Sequence, residues 1–295
     1  MSDPALIHIA SQGFTAEIES LGAQLHAWCD PQGRDLLWNG DPAVWNGRAP
    51  LLFPIVGGLN GGRYRLGEAH YDLPRHGLAR RKPFQLAGQA TDQARLRLAW
   101  DAQTLAVYPF RFELEMTFAL AGPRLSFSAQ VTNRGETPMP ASFGYHPAFR
   151  WPLPYGAARA DHAVIFSAEE PGPAWRIDAD GLVKPQPAAN PVDGRRLALD
   201  DSLFVDDALI LDPLRSRSLS FGPPQGKRLE IDLGGAPYLG LWTKPGAPFL
   251  CVEPWWGHAD PQGFGGDFTE KPGVFALAPG ESRTMAMSAT LAGEG

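Results

Sequence analysis

The run Tyr108-Pro-Phe-Arg-Phe-Glu-Leu-Glu-Met-Thr-Phe-Ala-Leu120 alternates strictly. Phe110, Phe112, Leu114, Met116, Phe118 and Leu120 fall on one side, and Arg111, Glu113, Glu115 and Thr117 on the other. Successive side chains leave a strand on opposite faces, so a period of two marks a strand with one dry and one wet face. Past Ala121-Gly-Pro123 the pattern resumes, with Leu125, Phe127, Ala129 and Val131 set against Ser126, Ser128, Gln130 and Thr132. Two such runs around a Gly-Pro turn predict a hairpin of long antiparallel strands. Arg95–Trp100, Leu229–Leu233 and Thr284–Leu291 repeat the pattern on a smaller scale.

With 33 Gly and 29 Pro spread through the sequence, turn signals recur at short intervals, and no long amphipathic helix is expected. The stretch from Pro152 to about Arg196, rich in Pro, Ala, Asp and Gly, is the least regular part. The strand pattern looks alike on both sides of it, so it reads as a long excursion from a sheet and not as a domain linker. The expected architecture is all-β, one large antiparallel sandwich, with residues 1–295 forming a single domain.

A hydrophobic fraction of 44% and a charged fraction of 20% describe an ordinary globular chain with a sizeable core. The formal net charge of -6 argues against nucleic acid or an anionic membrane as the main partner and leaves room for a small neutral ligand, or an anionic one met by a local basic patch. The two cysteines, Cys29 and Cys251, are too few for a disulfide framework and read as buried thiols. The first residues lack a basic region followed by an apolar run, and no stretch of about eighteen apolar residues occurs. The expected location is cytoplasmic.

Four segments place polar groups where chemistry could be done. Cys251-Val-Glu-Pro-Trp-Trp-Gly-His-Ala-Asp260 sets Glu253 at the end of an apolar run. Pro254 is expected to stop ladder pairing there, leaving the acid at the lip of a sheet. Trp255 and Trp256 are expected to form a partly dry wall beside it, which would raise the carboxyl's proton affinity and offer a flat face to a sugar. The plainer reading is a strand-end glutamate over two core tryptophans. Leu73–Lys82 holds His76 among Arg75, Arg80, Arg81 and Lys82, a basic cluster in an acidic chain. It reads either as a solvated loop or as an imidazole with cations suited to anionic oxygen or sugar hydroxyls.

Ala141–Phe149 embeds His146 among aromatic and small residues, and Pro147 biases it toward an extended backbone. A histidine so placed is more often a core residue than a catalyst. Ala49–Arg63 opens into a glycine-rich loop without the spacing of a phosphate cradle, so its glycines read as a tight turn. The seven histidines are scattered, with no HExxH and no Cys/His pair at ligand spacing, and no GxSxG elbow occurs, so neither a metal nor a serine hydrolase is expected. Two imidazoles and one carboxylate remain, a set suited to proton transfer without a cofactor. A glycosidase would need two carboxylates, for which Asp207 and Glu253 are candidates.

Pro50–Gly57, Pro74–Arg80, Gly144–Phe149 and Glu253–Gly257 occur in the same order as in the aldose 1-epimerases, or galactose mutarotase-like proteins, and the chain resembles their LacX-like branch most. The resemblance implies a large antiparallel β-supersandwich, no cofactor, and a small sugar as partner, either a free hexose or a hexose phosphate. It implies Glu253 as general base, His146 as general acid and His76 as a further site histidine. It implies Asp207 or Asp206 as a substrate-binding aspartate, and a polar residue and an arginine at the positions of Arg75 and Arg80 in relatives that act on hexose 6-phosphates. Many relatives carry an arginine where this chain has Gly58, and Arg63 or Arg48 are the candidates to replace it.

Overall fold

The computed structural model describes residues 5–293. The hairpin seen in the sequence is present. Strands Phe112–Ala121 and Arg124–Asn133 pair from Ala121–Arg124 to Phe112–Asn133. Gly122 takes a φ of 54° at the first central position of the two-residue turn, as a type II′ hairpin requires. Phe112, Leu114, Met116, Phe118 and Leu120 are all buried. Each contributes about 1.5–3 kcal/mol on burial. A one-residue slip would turn all five outward, and that cost holds the register. The strand opens four residues later than the alternation suggests. Tyr108 instead closes the only α-helix among the described residues, Ala102–Val107, donating its N–H to the Thr104 carbonyl at 2.7 Å. Asp101 caps that helix, its carboxylate accepting from the Thr104 N–H.

The hairpin sits inside a nine-stranded antiparallel sheet. Strand Ser282–Ala292 lies against Arg124–Asn133, and Gln93–Ala99 lies against Phe112–Ala121. A seven-stranded sheet faces it, with Phe249–Trp256 between Tyr238–Trp242 on one side and the short strands Phe143–Tyr145 and Ala148–Arg150 on the other. One buried apolar cluster draws on both sheets. Tyr145 bridges them: its ring lies 6.0 Å from that of Phe127, and its hydroxyl donates to the Met285 carbonyl at 2.9 Å. The architecture is the all-β antiparallel sandwich read from the sequence.

The segment from Pro152 to Arg196 is not an excursion from the sheets. Ala163–Phe166 pairs into the nine-stranded sheet beside Ser218–Gly222, and Ala174–Trp175 pairs with Leu209–Leu211 at the edge of the seven-stranded one. Strands of two to four residues are too short for alternation to be seen against background. No helix among the described residues is long and apolar enough to cross a membrane.

Candidate active site

Strand Phe249–Trp256 is buried along its whole length and carries two different faces. Leu250, Val252 and Trp256 join the core between the sheets. Cys251, Glu253 and Trp255 point the other way. The two tryptophans therefore do not form one wall: Trp255 lines the cavity, whereas Trp256 packs against Tyr145. Pro254 does not stop the strand either, since Leu239 pairs with Pro254 and Tyr238 with Trp255. Val252 donates its N–H to the Pro147 carbonyl, so by alternation Pro254 presents its missing donor to that same side. There the ladder is interrupted between the pairs Gly144–Trp255 and Ala148–Cys251, a stretch in which Pro254 and Pro147 both lack a donor.

That break projects His146 into a cavity of about 290 Å³. The volume is at the small end for ligand sites, which run from roughly 300 to 1,000 Å³. Glu253, His146, His76, Asp207, Arg75 and Arg80 all line it. His146 Nε2 lies 3.3 Å from Glu253 Oε2. Trp45 stacks on the imidazole at 5.3 Å and 26°, Trp242 meets it edge-on at 5.9 Å, and His76 does so at 5.8 Å. Trp255 lies flat on the sheet because glycines flank it. A Cβ on Gly240 would meet its ring at 2.4 Å, and one on Gly144 at 2.7 Å.

His76 is held in the left-handed region, at φ 67°, by a two-way contact with the glycine loop. Its N–H donates to the Gly57 carbonyl at 2.9 Å, and its Nδ1 accepts from the Gly57 N–H at 3.1 Å. Nδ1 therefore carries no proton, and a neutral His76 has its hydrogen on Nε2. Asp207 is also left-handed, at φ 64°. Its carboxylate accepts from the Ala208 N–H at 2.7 Å and lies 3.9 Å from the Arg75 guanidinium. That ion pair is about half exposed and contributes about 0–1 kcal/mol, so it can open for a ligand. Asp206, the alternative, is exposed and outside the lining.

The basic cluster divides. Arg75 and Arg80 reach the cavity, while Lys82 turns to Gln103 and Asp101 at the helix cap. Neither candidate replacement for an arginine at Gly58 is in the lining. Arg48 donates to the His26 carbonyl, and Arg63 pairs with Asp72. A Cβ at Gly58 would stand 3.1 Å from the carbonyls of Asp180 and Gly181, so the turn at Asp178–Leu182 takes the room a side chain would need. Trp45, Trp242 and Ile177, also in the lining, carry no local signal in the sequence; Trp45 stands in a polar, glycine-containing loop with no strand pattern.

Burial dominates the electrostatics. It pushes the Glu253 carboxyl well above the usual carboxylate range, with Asp207 adding to this and Arg75 and Arg80 opposing it. Burial, helped by Arg80, pushes His146 down to about 3. His76 is depressed as well, by burial first and by His146 and the arginines next. Glu253 adjoins the imidazole, but desolvation outweighs the support that a carboxylate gives to an imidazolium. Burial thus favours the uncharged form of each group, a carboxylic acid at Glu253 and a neutral imidazole at His146. His146, Cys251 and Glu253 also bring one donor atom each within 4.8 Å of one another.

The sequence model of the aldose 1-epimerase family matches residues 5–289. The plasmid and chromosomal LacX proteins of Lactococcus lactis subsp. lactis are each 34% identical to the chain over 283 residues, covering 92% of it and 95% of theirs. A galactose mutarotase related enzyme from Lactobacillus acidophilus superposes with a TM-score of 0.91 at 28% identity, covering 98% of this chain and 97% of the other. A galactose mutarotase-like protein from Lactobacillus casei gives 0.88 at 28%, covering 98% and 100%. By sequence along nearly its whole length and by fold, the chain belongs to the aldose 1-epimerase family.

Proposed function

We propose that this protein is a mutarotase that interconverts the α and β anomers of a hexose by acid–base catalysis through ring opening. The observation that carries the reading is the 3.3 Å contact between Glu253 and His146 in the cavity floor. The two oxygens that exchange protons, the C1 hydroxyl and the ring oxygen, share one carbon. A base and an acid in contact can therefore serve both. Glu253 takes the proton of the C1 hydroxyl while His146 protonates the ring oxygen, and the C1–ring oxygen bond breaks to leave the aldehyde. Rotation about C1–C2 and reversal of both transfers closes the ring as the other anomer. Each group supplies roughly 10²–10⁴-fold.

Opening starts from carboxylate and imidazolium and ends with carboxylic acid and neutral imidazole. Burial favours the second pair in the empty site, so a proton passes from Glu253 to His146 across their 3.3 Å contact before the ring opens. Both pairs have the same net charge, and interconverting them moves no charge into the dry floor. His76 donates from Nε2 to a hydroxyl, Asp207 accepts from another, and Trp255 offers its face to the sugar's C–H surface.

The names of the structural neighbours make galactose the first substrate to test, with glucose as the comparison. Polarimetry of freshly dissolved α-galactose and α-glucose should show mutarotation well above the spontaneous rate; sugar binding by calorimetry with no acceleration would reject the reading. Arg75 and Arg80 in the lining favour a second reading, a hexose 6-phosphate as substrate. A higher kcat/KM for the phosphate that falls with added salt would establish it.

A further inference from the structure

Around the cavity floor lies a donor set that the proposed proton transfers use only in part: His146 and Glu253 line the cavity, and Cys251 stands behind them, outside the lining. Cys251 and Glu253 leave the same face of one strand two residues apart, and His146 enters from the neighbouring break. All three are buried. Their donor atoms lie within 4.8 Å of one another. Glu253 is 1% exposed, and its Oε2 makes no well-aligned hydrogen bond among the described residues, its contact being His146 Nε2 at 3.3 Å. A buried carboxyl oxygen so placed, with a thiol in the same group, is an arrangement that a cation completes.

We propose that a thiophilic divalent cation of the zinc class binds at the cavity floor through His146 Nε2, Cys251 Sγ and Glu253 Oε2, and that it excludes the sugar. One nitrogen, one sulfur and one oxygen suit Zn²⁺, whereas Mg²⁺ and Ca²⁺ require oxygen donors in larger number. Tetrahedral contacts of about 2.0–2.3 Å set donors roughly 3.3–3.8 Å apart, so the His146–Glu253 pair already fits and Cys251 closes in by about 1 Å. The fourth position faces the cavity. Binding releases two protons, one from the thiol and one from the buried carboxyl. The floor keeps its net charge, and Arg75 and Arg80 oppose the ion no more than they oppose the empty site. Exclusion of the sugar rests on the function proposed above; binding of the ion does not.

The test uses the untagged full chain, stripped of metal and titrated with Co²⁺ as a spectroscopic replacement for Zn²⁺. The expected spectrum has a thiolate-to-cobalt charge-transfer band and the intense visible bands of a tetrahedral site, saturating at one ion per chain. Cys251→Ala should abolish the charge-transfer band and weaken binding at least about 10-fold while mutarotation persists. Cys251→Ser is the second variant should the alanine chain fold poorly. Zn²⁺ should inhibit the unaltered enzyme competitively with sugar, and the alanine variant at least about 10-fold less effectively. A cobalt spectrum without the thiolate band, equal inhibition in both proteins, or acceleration by Zn²⁺ would overturn the proposal. If no sugar is turned over, the proposed function fails, and the cobalt spectrum still decides whether the ion site exists.

Discussion

The Phe112–Asn133 hairpin and the Phe249–Trp256 strand are both antiparallel β-structure, yet they handle carboxylates in opposite ways. In the hairpin, Glu113 and Glu115 stand on the wet face with arginines opposite. Glu113 lies 2.7 Å from Arg134 and 3.2 Å from Arg97, and Glu115 lies 3.6 Å from Arg95. Water and counter-charges surround them, and each pair contributes little. In the buried strand Glu253 meets an imidazole, a thiol and indoles, with the arginines farther off. The same residue type is a solubilising group in one place and, in the proposed mechanism, a proton carrier in the other. Its surroundings, not its chemistry, make the difference.

The largest expected effect separates the two directly. Glu253→Gln and His146→Asn should each lower kcat/KM by roughly 10²–10⁴-fold in the polarimetric assay with an unchanged circular dichroism spectrum, whereas Glu113→Gln should leave the rate alone. A near-normal rate in either site variant would remove that residue from the mechanism.

Next is the reverse experiment, damage to the hairpin without damage to the chemistry. Phe118→Ala should cost about 3–5 kcal/mol of stability in denaturant titration, because a fully packed ring is lost, while KM at a temperature where the protein stays folded should hold. A smaller effect is expected at Gly240→Ala. The added methyl meets the Trp255 ring, which must lift from the sheet into the cavity. Overpacking of this kind costs about 1–3 kcal/mol, and KM should rise more than kcat falls, since in the proposed mechanism Trp255 offers its face to the sugar and transfers no proton.

The subtlest effect is on stability against pH. His146 and His76 are both depressed, so the unfolded chain binds protons below the ordinary value of 6.5 that the folded chain refuses, down to about 3 for His146. Their contribution is complete above 6.5 and is lost as the pH falls through that window. Glu253 acts in the opposite sense. Its carboxyl is raised, so its contribution is complete below the ordinary 4.5 and is lost as the pH rises. From these three groups, thermal stability should fall on acidification below 6.5, and more steeply in Glu253→Gln, where the opposing group is gone. Equal slopes in both proteins would mean that the Glu253 carboxyl is not raised, and no loss of stability below 6.5 in either would mean that the histidines are not held neutral.

Alternation over long runs was readable because a strand's side-chain period is a local property. The hairpin, its turn, the Leu229–Leu233 and Thr284–Leu291 strands and the all-β class follow from it. The motif order around Glu253, His146 and His76 pointed to the aldose 1-epimerases. Tertiary structure decided the rest. Pro254 looked like a strand end because the sequence does not say which neighbour an absent N–H faces. Trp255 and Trp256 looked like one wall because adjacency in the chain hides the fact that neighbours on a strand face opposite ways. The closeness of His146 to Glu253, the gathering of Cys251 beside them, and the choice of Asp207 over Asp206 depend on how segments distant in the chain pack. Packing also sets the desolvation that moves both protons, a quantity that no local pattern of residues contains.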